Sequence, residues 1–391
     1  VEHPAYEGPC CGTAVRPLAD FPDVALCRGT FARPFDVLEC GGDELAADDQ
    51  ETTRILSLTS AEQLFVFEDL PAAPVPSLLR DFSAPVILEY DWRNEDLSHL
   101  LAHDSDPFNR WEAGQRLASR LLLVAAAEIA AGRSPEWPQS FAAAAARMLA
   151  EATQDHAFAA EVLTLPGEAT LAEEVAVVDP DALHAARNGL RRFLAERLAS
   201  EWRHCYESLT SKGPYQPTPA DAGRRALRNL CLGYLGELDG SEAPALAMRQ
   251  FVSADNMSDQ FAALTTLAQR DCVERGEALA SFYERWQNEA LVVDKWLSVQ
   301  AASRLPETLA VVQGLLSHPA FDLHNPNKVY SLINTFGANH VRFHAADGSG
   351  YRFLAGQIDR LDRINPQVAA RLARRFDRWR KFDAGRQEHA R

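Results

Sequence analysis

The sequence predicts a mainly α protein: an irregular α-α superhelix of antiparallel helix pairs, preceded by a small β-sandwich. Three observations predict it. Apolar residues recur at helical spacing through most of the chain beyond about residue 95, the breaks between these segments are short, and no parallel β elements alternate with them. No strict repeat is visible, so an irregular stack is expected, each helix pair burying its seam against a neighbour. At 391 residues the chain exceeds the usual single packing unit, and two or three are expected.

Residues 1–50 carry Pro and Gly punctuation without sustained periodicity and run into the acidic stretch Asp43–Glu51, so no element is assigned there. Ile55–Leu58, Leu64–Phe67 and Val86–Trp92 are short runs rich in aliphatic, aromatic or β-branched residues, and they read as strands. Pro71, Pro74, Pro76 and Pro85 forbid a continuous helix or central strand between the second and third. Three strands make no stable sandwich, so either residues 1–50 supply more or the sheet is incomplete.

From about Glu95 the period changes. Phe108, Trp111, Leu117, Leu121 and Val124 recur at helical spacing, with Asp106 placed to cap and Pro107 in the first turn, where its missing amide costs nothing. Further helices are predicted at Phe141–Ala152, Asp181–Glu207, Pro219–Leu235, Ser258–Arg270, Gly276–Gln287 and Leu291–Ala302. Four more follow, at Pro306–Leu316, Pro326–Thr335, Gly350–Arg363 and Pro366–Lys381. Asp179-Pro180, Asn325-Pro326 and Asn365-Pro366 each put a capping side chain before a proline already at helical φ. Trp111, Trp202, Trp286, Trp296 and Trp379 are expected to anchor helix–helix seams.

Composition narrows the function classes. A formal charge of −16 offers no footprint for nucleic acid and no attraction to anionic membrane. The stretch Asp359–Arg391 is locally basic and reads as a solvated helical face. The longest apolar run, Leu121–Ala127, is too short to span a bilayer, and no signal-peptide pattern opens the chain. A cytoplasmic location is therefore expected, although a first residue of Val leaves room for an upstream segment.

Seven cysteines describe no disulfide scaffold. Cys205, Cys231 and Cys272 read as small buried thiols in helices. Cys10, Cys11, Cys27 and Cys40 match no paired Cys-x-x-Cys spacing, so no metal site is assigned to them. Two His-x-x-x-His pairs place both rings on one helical face, where they could share an ion. In the first, His99 and His103, Leu100 stands where a zinc peptidase needs glutamate, and Leu122 stands where a later ligand would fall. The second, His340 and His344, precedes a Gly-containing stretch and reads as a loop, with Asp347 or Ser349 capping the next helix. Gly348-Ser349-Gly350 has neither phosphate-loop nor nucleophile-elbow spacing. No catalytic residue and no metal ligand is assigned, substrate-binding residues stay unassigned, and the chain is expected to be inactive alone.

Several segments resemble the C-terminal half of bacterial aminopeptidase N, a gluzincin-type zinc metallopeptidase family that releases N-terminal amino acids from peptides. They are Ala61–Phe67, Pro74–Leu79, Phe82–Val86, Phe108–Ala113, Ala160–Pro166, Arg225–Cys231 and Asp255–Met257, then Asn325–Lys328, Phe343–Tyr351, Asn365–Ala369 and Lys381–Glu388. Their order is collinear over about residues 52–391. The resemblance implies a partial Ig-like β-sandwich over 51–94 and a C-terminal helical superhelix over 95–391. Residues 1–50 fit the expected first half of the sandwich poorly, and the chain stops before the last helices expected of the family. The zinc, its histidines and the catalytic glutamate belong, by that resemblance, to a catalytic domain outside this chain. This chain then holds no cofactor of its own, and its partners are the N-terminal and catalytic domains of the same enzyme, with short peptides as substrates of the whole. The implied function is a non-catalytic wall or lid of the substrate chamber. The alternative is a stand-alone helical-repeat protein that binds peptides or proteins without catalysis.

Overall fold

The computed structural model describes residues 12–18, 21–29, 35–41, 53–58, 62–66, 74–84, 86–211 and 213–391, with side chains at 56, 63–65 and throughout the last three ranges. The acidic stretch Asp43–Glu51, Pro71, Pro85, Cys10 and Cys11 lie outside the described residues, and Cys27 and Cys40 are described in backbone alone. Contacts divide the chain into two compact units. One is Val1–Leu117 with Gln139–Met148 and Glu161–Leu163; the other is Ala118–Pro138 with Leu149–Ala160 and Thr164–Arg391.

The first unit carries two small sheets. Strands β1 (Gly12–Leu18), β2 (Phe21–Gly29) and β3 (Phe35–Gly41) come from the segment the sequence left unassigned, and β4 (Thr53–Leu58), β5 (Glu62–Val66), β6 (Ser77–Leu78) and β7 (Ile87–Tyr90) follow. One sheet has the order β5-β2-β1-β7 and the other β4-β3-β6. All pairs are antiparallel except β1 with β7. Prolines hid the first strands: the β1–β2 register shifts at Pro17/Leu18, and Pro22 sits near the start of β2, positions that break a period-two pattern.

After β6 the backbone makes an unusual turn. Leu79, Asp81 and Phe82 all have positive φ (57°, 53° and 59°), a region that side chains with a Cβ rarely enter. The intervening Arg80 holds the turn: its guanidinium donates to Asp104 Oδ1 (2.9 Å), Ser77 Oγ (3.1 Å) and Ser105 Oγ (2.5 Å). The Asn109 amide donates to Ser77 Oγ (2.8 Å) and the Leu78 carbonyl (2.9 Å), and Asp106 accepts from the Asp81 amide (3.1 Å). A strained turn persists where surrounding bonds over-determine it.

Helices follow in quick succession: α1 (Asn94–His103), α2 (Pro107–Ala130), α3 (Gln139–Glu151), α4 (His156–Val162), α5 (Glu168–Glu173), α6 (Pro180–Arg197) and α7 (Ala199–Ser208). Then come α8 (Pro219–Leu235), α9 (Glu242–Ser253), α10 (Met257–Ala268), α11 (Val273–Trp286), α12 (Ala290–Ala301), α13 (Thr308–Leu315) and α14 (Pro326–Val329). The last are α15 (Thr335–Ala338), α16 (His340–Phe343), α17 (Ser349–Asp362), α18 (Pro366–Ala373) and α19 (Ala384–Ala390). The fold class is therefore the expected one, irregular helix pairs after a small β region.

Local chemistry sets the helix starts. Asp106 accepts the Asn109 amide (2.7 Å) at the start of α2. Asp179 accepts from Asp181 and Ala182 (both 3.1 Å), Asn325 from Asn327 (3.0 Å) and Asn365 from Val368 (3.2 Å), each beside its proline. Such a cap is worth about 1 kcal/mol. Three predicted spans differ from what forms. Asp181–Glu207 is divided at Leu198, whose ψ of 29° ends α6, and the fully buried Trp202 of α7 turns its indole N–H back to the Leu194 carbonyl (3.0 Å). Pro366–Lys381 is helical only to Ala373 and continues as two 3₁₀ turns. His340–Phe343, expected as loop, is a helical turn whose Asn339 side chain accepts the Arg342 amide.

Within the second unit, α7 and α8 show the pairing clearly. Trp202 stacks on Tyr234 with ring centroids 4.2 Å apart and planes within 9°. Further along, Arg228 donates to Tyr206 Oη (3.1 Å) and Arg224 to the Leu209 carbonyl (2.6 Å). Numbers rise on α7 as they fall on α8, so the two helices are antiparallel. Between α14 and α15, Tyr330–Asn334 forms a π turn, and the Ser331 carbonyl accepts the Ser298 hydroxyl of α12 (3.0 Å). The start and finish of this unit also meet: the Val178 amide donates to the Lys381 carbonyl (2.7 Å), and Lys381 Nζ donates to the Ala172 (3.2 Å) and Glu173 (3.1 Å) carbonyls.

Candidate functional site

The most polar built cavity of the second unit, about 370 Å³, lies where successive helices finish. It is lined by Gly233, Gly236 and Glu237 at the end of α8, Thr265, Thr266 and Gln269 at the end of α10, Ala302 and Arg304 after α12, and Thr335, Ala338 and Asn339 at the end of α15. Each helix end leaves carbonyls without intrahelical partners and carries partial negative charge. Side chains from neighbouring elements answer them. Arg191 donates to the Gly233 carbonyl (2.9 Å), Arg270 to the Gly236 and Leu238 carbonyls, and Asn339 Nδ2 to those of Ala301 (3.0 Å) and Ser303 (2.7 Å). Arg342 donates to the Arg304 carbonyl (2.8 Å).

A chain of charged and polar groups crosses the cavity. Glu168 of α5 meets His184 of α6 (Oε1 to Nδ1, 2.7 Å); His184 Nε2 meets Asn188 Nδ2 (2.8 Å); and Asn188 Oδ1 accepts from Arg304 (3.0 Å). Arg304 also pairs with Glu237 (2.7 Å), whose other oxygen faces Arg191 Nε (3.2 Å). The order of donors fixes the tautomer. Arg304 can only donate, so the Asn188 oxygen must face it and the Asn188 NH₂ must face His184. His184 Nε2 is then an acceptor, and Nδ1 carries the hydrogen donated to Glu168. Both ring nitrogens are occupied, and the His184–Glu168 dyad has no free lone pair with which to deprotonate a substrate. Burial pushes the Glu168 carboxyl up, but the His184 hydrogen bond and the His340 and Arg187 charges outweigh it and hold the group below its ordinary value. The relay joins α5, α6, α8 and the turn after α12, which is structural work.

His340 and His344 flank a second cavity of about 480 Å³, lined also by Arg371, Arg374, Arg375, Arg378 and Lys381. The basic C-terminal stretch is thus partly folded inward: Arg375 donates to Asn334 Oδ1 (3.0 Å), and Arg378 pairs with Glu173. His344 stacks on Phe382 at 3.9 Å, and its Nδ1 lies 2.8 Å from the Tyr351 hydroxyl. Burial, with the His340 and Arg386 charges, depresses it to about 2, so it is neutral. Burial also lowers His340, against the opposing pull of Glu168 4.0 Å away. This second pair packs as core and presents no metal-binding face.

The first pair sits on α1 with both rings exposed and stacked at 4.8 Å. Among the described residues, no group of three or more His, Cys, Asp and Glu could hold an ion, and no helix is long and apolar enough to cross a membrane. Glu168, Asn188 and Arg304 carry no sequence signal, because they converge from elements far apart in the chain. Only the His184/Asn188 spacing of four marks one helical face.

Comparison with known proteins gives a consistent result. The family described as a domain of unknown function (DUF3458_C), ARM repeats, matches residues 94–391, and one described as a domain of unknown function (DUF3458), Ig-like fold, matches residues 34–91. Aminopeptidase N of Escherichia coli (strain K12) is 39% identical over 338 residues, covering 86% of this chain and 39% of that protein. Aminopeptidase N of Caulobacter vibrioides is 40% identical over 342 residues, with 86% and 39% covered. A crystal structure of Legionella pneumophila aminopeptidase A in complex with aspartic acid aligns with a TM-score of 0.81 at 30% identity, over 97% of this chain and 46% of that one. The chain therefore spans well under half the length of the relatives it matches.

Proposed function

The chain belongs to the bacterial aminopeptidase N family and corresponds to its C-terminal half, and from that membership we propose that it serves as the non-catalytic wall or lid of the substrate chamber of a zinc aminopeptidase. Zinc binding and hydrolysis belong, in this reading, to the part of the relatives outside the match. The observation that carries it is identity of 39–40% running through 338–342 residues of proteins more than twice as long. The polar cavity supports it. Its histidine dyad is locked into a relay by Asn188, so the side chains that look most chemical hold helices together. The partners are then the N-terminal and catalytic domains, the substrates of the whole are short peptides, and the location is the cytoplasm.

Incubating the purified chain with zinc and an aminoacyl p-nitroanilide tests the division of labour. No zinc-dependent release above the protein-free rate is expected, and robust release would overturn it. Adding a separately produced catalytic portion tests the wall. The expected result is a complex that cleaves short peptides in preference to long ones, whereas failure to associate, or length preference unchanged by this chain, would remove the proposal.

A further inference from the structure

Cys205 and Cys231 read in sequence as separate buried thiols, and the structure brings them face to face. Register along the α7–α8 pair shows why. One turn on from Trp202 on α7 is Cys205, and one turn back from Tyr234 on α8 is Cys231, so two antiparallel helices joined by the 202–234 stack bring 205 opposite 231. The rung beyond, Tyr206 with Arg228, holds the same alignment at 3.1 Å. The two thiols are hydrogen-bonded to each other, and both are free. They differ in access: Cys205 is 8% exposed and Cys231 fully buried. The hydrogen bond from Cys231 makes the Cys205 thiol the easier to ionise, while the same contact and burial push Cys231 up.

We propose that Cys205 and Cys231 form a peroxide-reactive dithiol, in which Cys205 is oxidised first and Cys231 resolves it to a disulfide that ties α7 to α8. The Cys205 thiolate attacks one oxygen of hydrogen peroxide. The O–O bond breaks, the departing hydroxide takes up a proton as water, and Cys205 becomes a sulfenic acid. Cys231 then gives up its proton and attacks the Cys205 sulfur. The S–O bond breaks, and the second hydroxide leaves as water with that proton. Two thiols and one peroxide become one disulfide and two waters, with both sulfurs oxidised by one electron each and both peroxide oxygens reduced. The order of events follows from access, because an oxidant reaches the partly exposed sulfur and only a neighbouring thiol reaches the buried one.

The test treats the full chain with hydrogen peroxide, alkylates remaining thiols under denaturing conditions and maps non-reduced peptides by mass. A cross-linked pair of peptides containing Cys205 and Cys231, lost on adding dithiothreitol, is expected. The oxidised protein should melt about 4 °C higher, since the bond closes a loop in the unfolded chain. In Cys231→Ser, Cys205 should run on to sulfinic acid, and in Cys205→Ser, Cys231 should stay reduced. Alkylation of both thiols after peroxide, a link from Cys205 to any other cysteine, or undiminished oxidation of Cys231 in Cys205→Ser would each overturn the proposal. The wild-type peptide map decides the matter even if either variant fails to fold.

Discussion

His99/His103 and His340/His344 share one spacing and differ in almost everything else. The first pair stands on a full helix with its rings in solvent. The second sits on a single helical turn, closed in by Phe382, Tyr351 and Phe343. Spacing of four only says that two side chains can meet. What they meet decides whether they could take a proton, take an ion, or simply fill space.

The widest effect should come from opening the buried pair. Phe382→Ala removes a ring 4% exposed and stacked on His344, which should cost about 3–5 kcal/mol by denaturant unfolding. In the same variant, the His344 ring should titrate nearer its ordinary value by NMR. An unchanged stability and titration would mean that Phe382 is not what seals the site.

Acid should act next. His344 is held at about 2 in the fold against an ordinary 6.5, and His340 is lowered too. Between those values the unfolded chain binds protons that the folded chain does not. Stability is therefore full above about pH 6.5 and falls as pH drops, by up to about 1.4 kcal/mol per pH unit for each such group. Glu168, lowered from its ordinary 4.5, adds a loss of the same sign below that pH. Unfolding midpoints measured from pH 7.5 to 5 check the slope, and a flat profile would contradict the buried, neutral assignment.

Smaller changes sharpen the contrast. Tyr351→Phe deletes the hydroxyl 2.8 Å from His344 Nδ1 and should cost about 1 kcal/mol. The double change His99→Ala and His103→Ala, at exposed positions, should shift stability by no more than about 0.5 kcal/mol. A larger loss there would give the surface pair a structural role that its exposure does not suggest.

Helix starts were the most legible part of the sequence, because a cap and a proline act within a few residues. Asp179-Pro180, Asn325-Pro326 and Asn365-Pro366 all open helices as expected. What escaped depends on distant partners. The division at Leu198 goes with the burial of Trp202, and the strands over 12–41 are defined by pairing around prolines rather than by alternation. The relay from Glu168 to Arg304 was invisible for the same reason: its members lie on separate helices and share no local pattern.

The π turn at Tyr330–Asn334 bears on how such chains should be aligned. A widened turn accommodates one residue more than an α-helix of the same rise, and each residue advances the helix by about 100°. Removing one residue there would restore ordinary winding but rotate everything after it to another face. Phe336, fully buried beyond that turn, would then swing out of its place. A homologue that keeps the same packing with an ordinary helix should accordingly show a one-residue gap at this point, and a gap placed anywhere else in α14–α15 would pair residues from opposite faces.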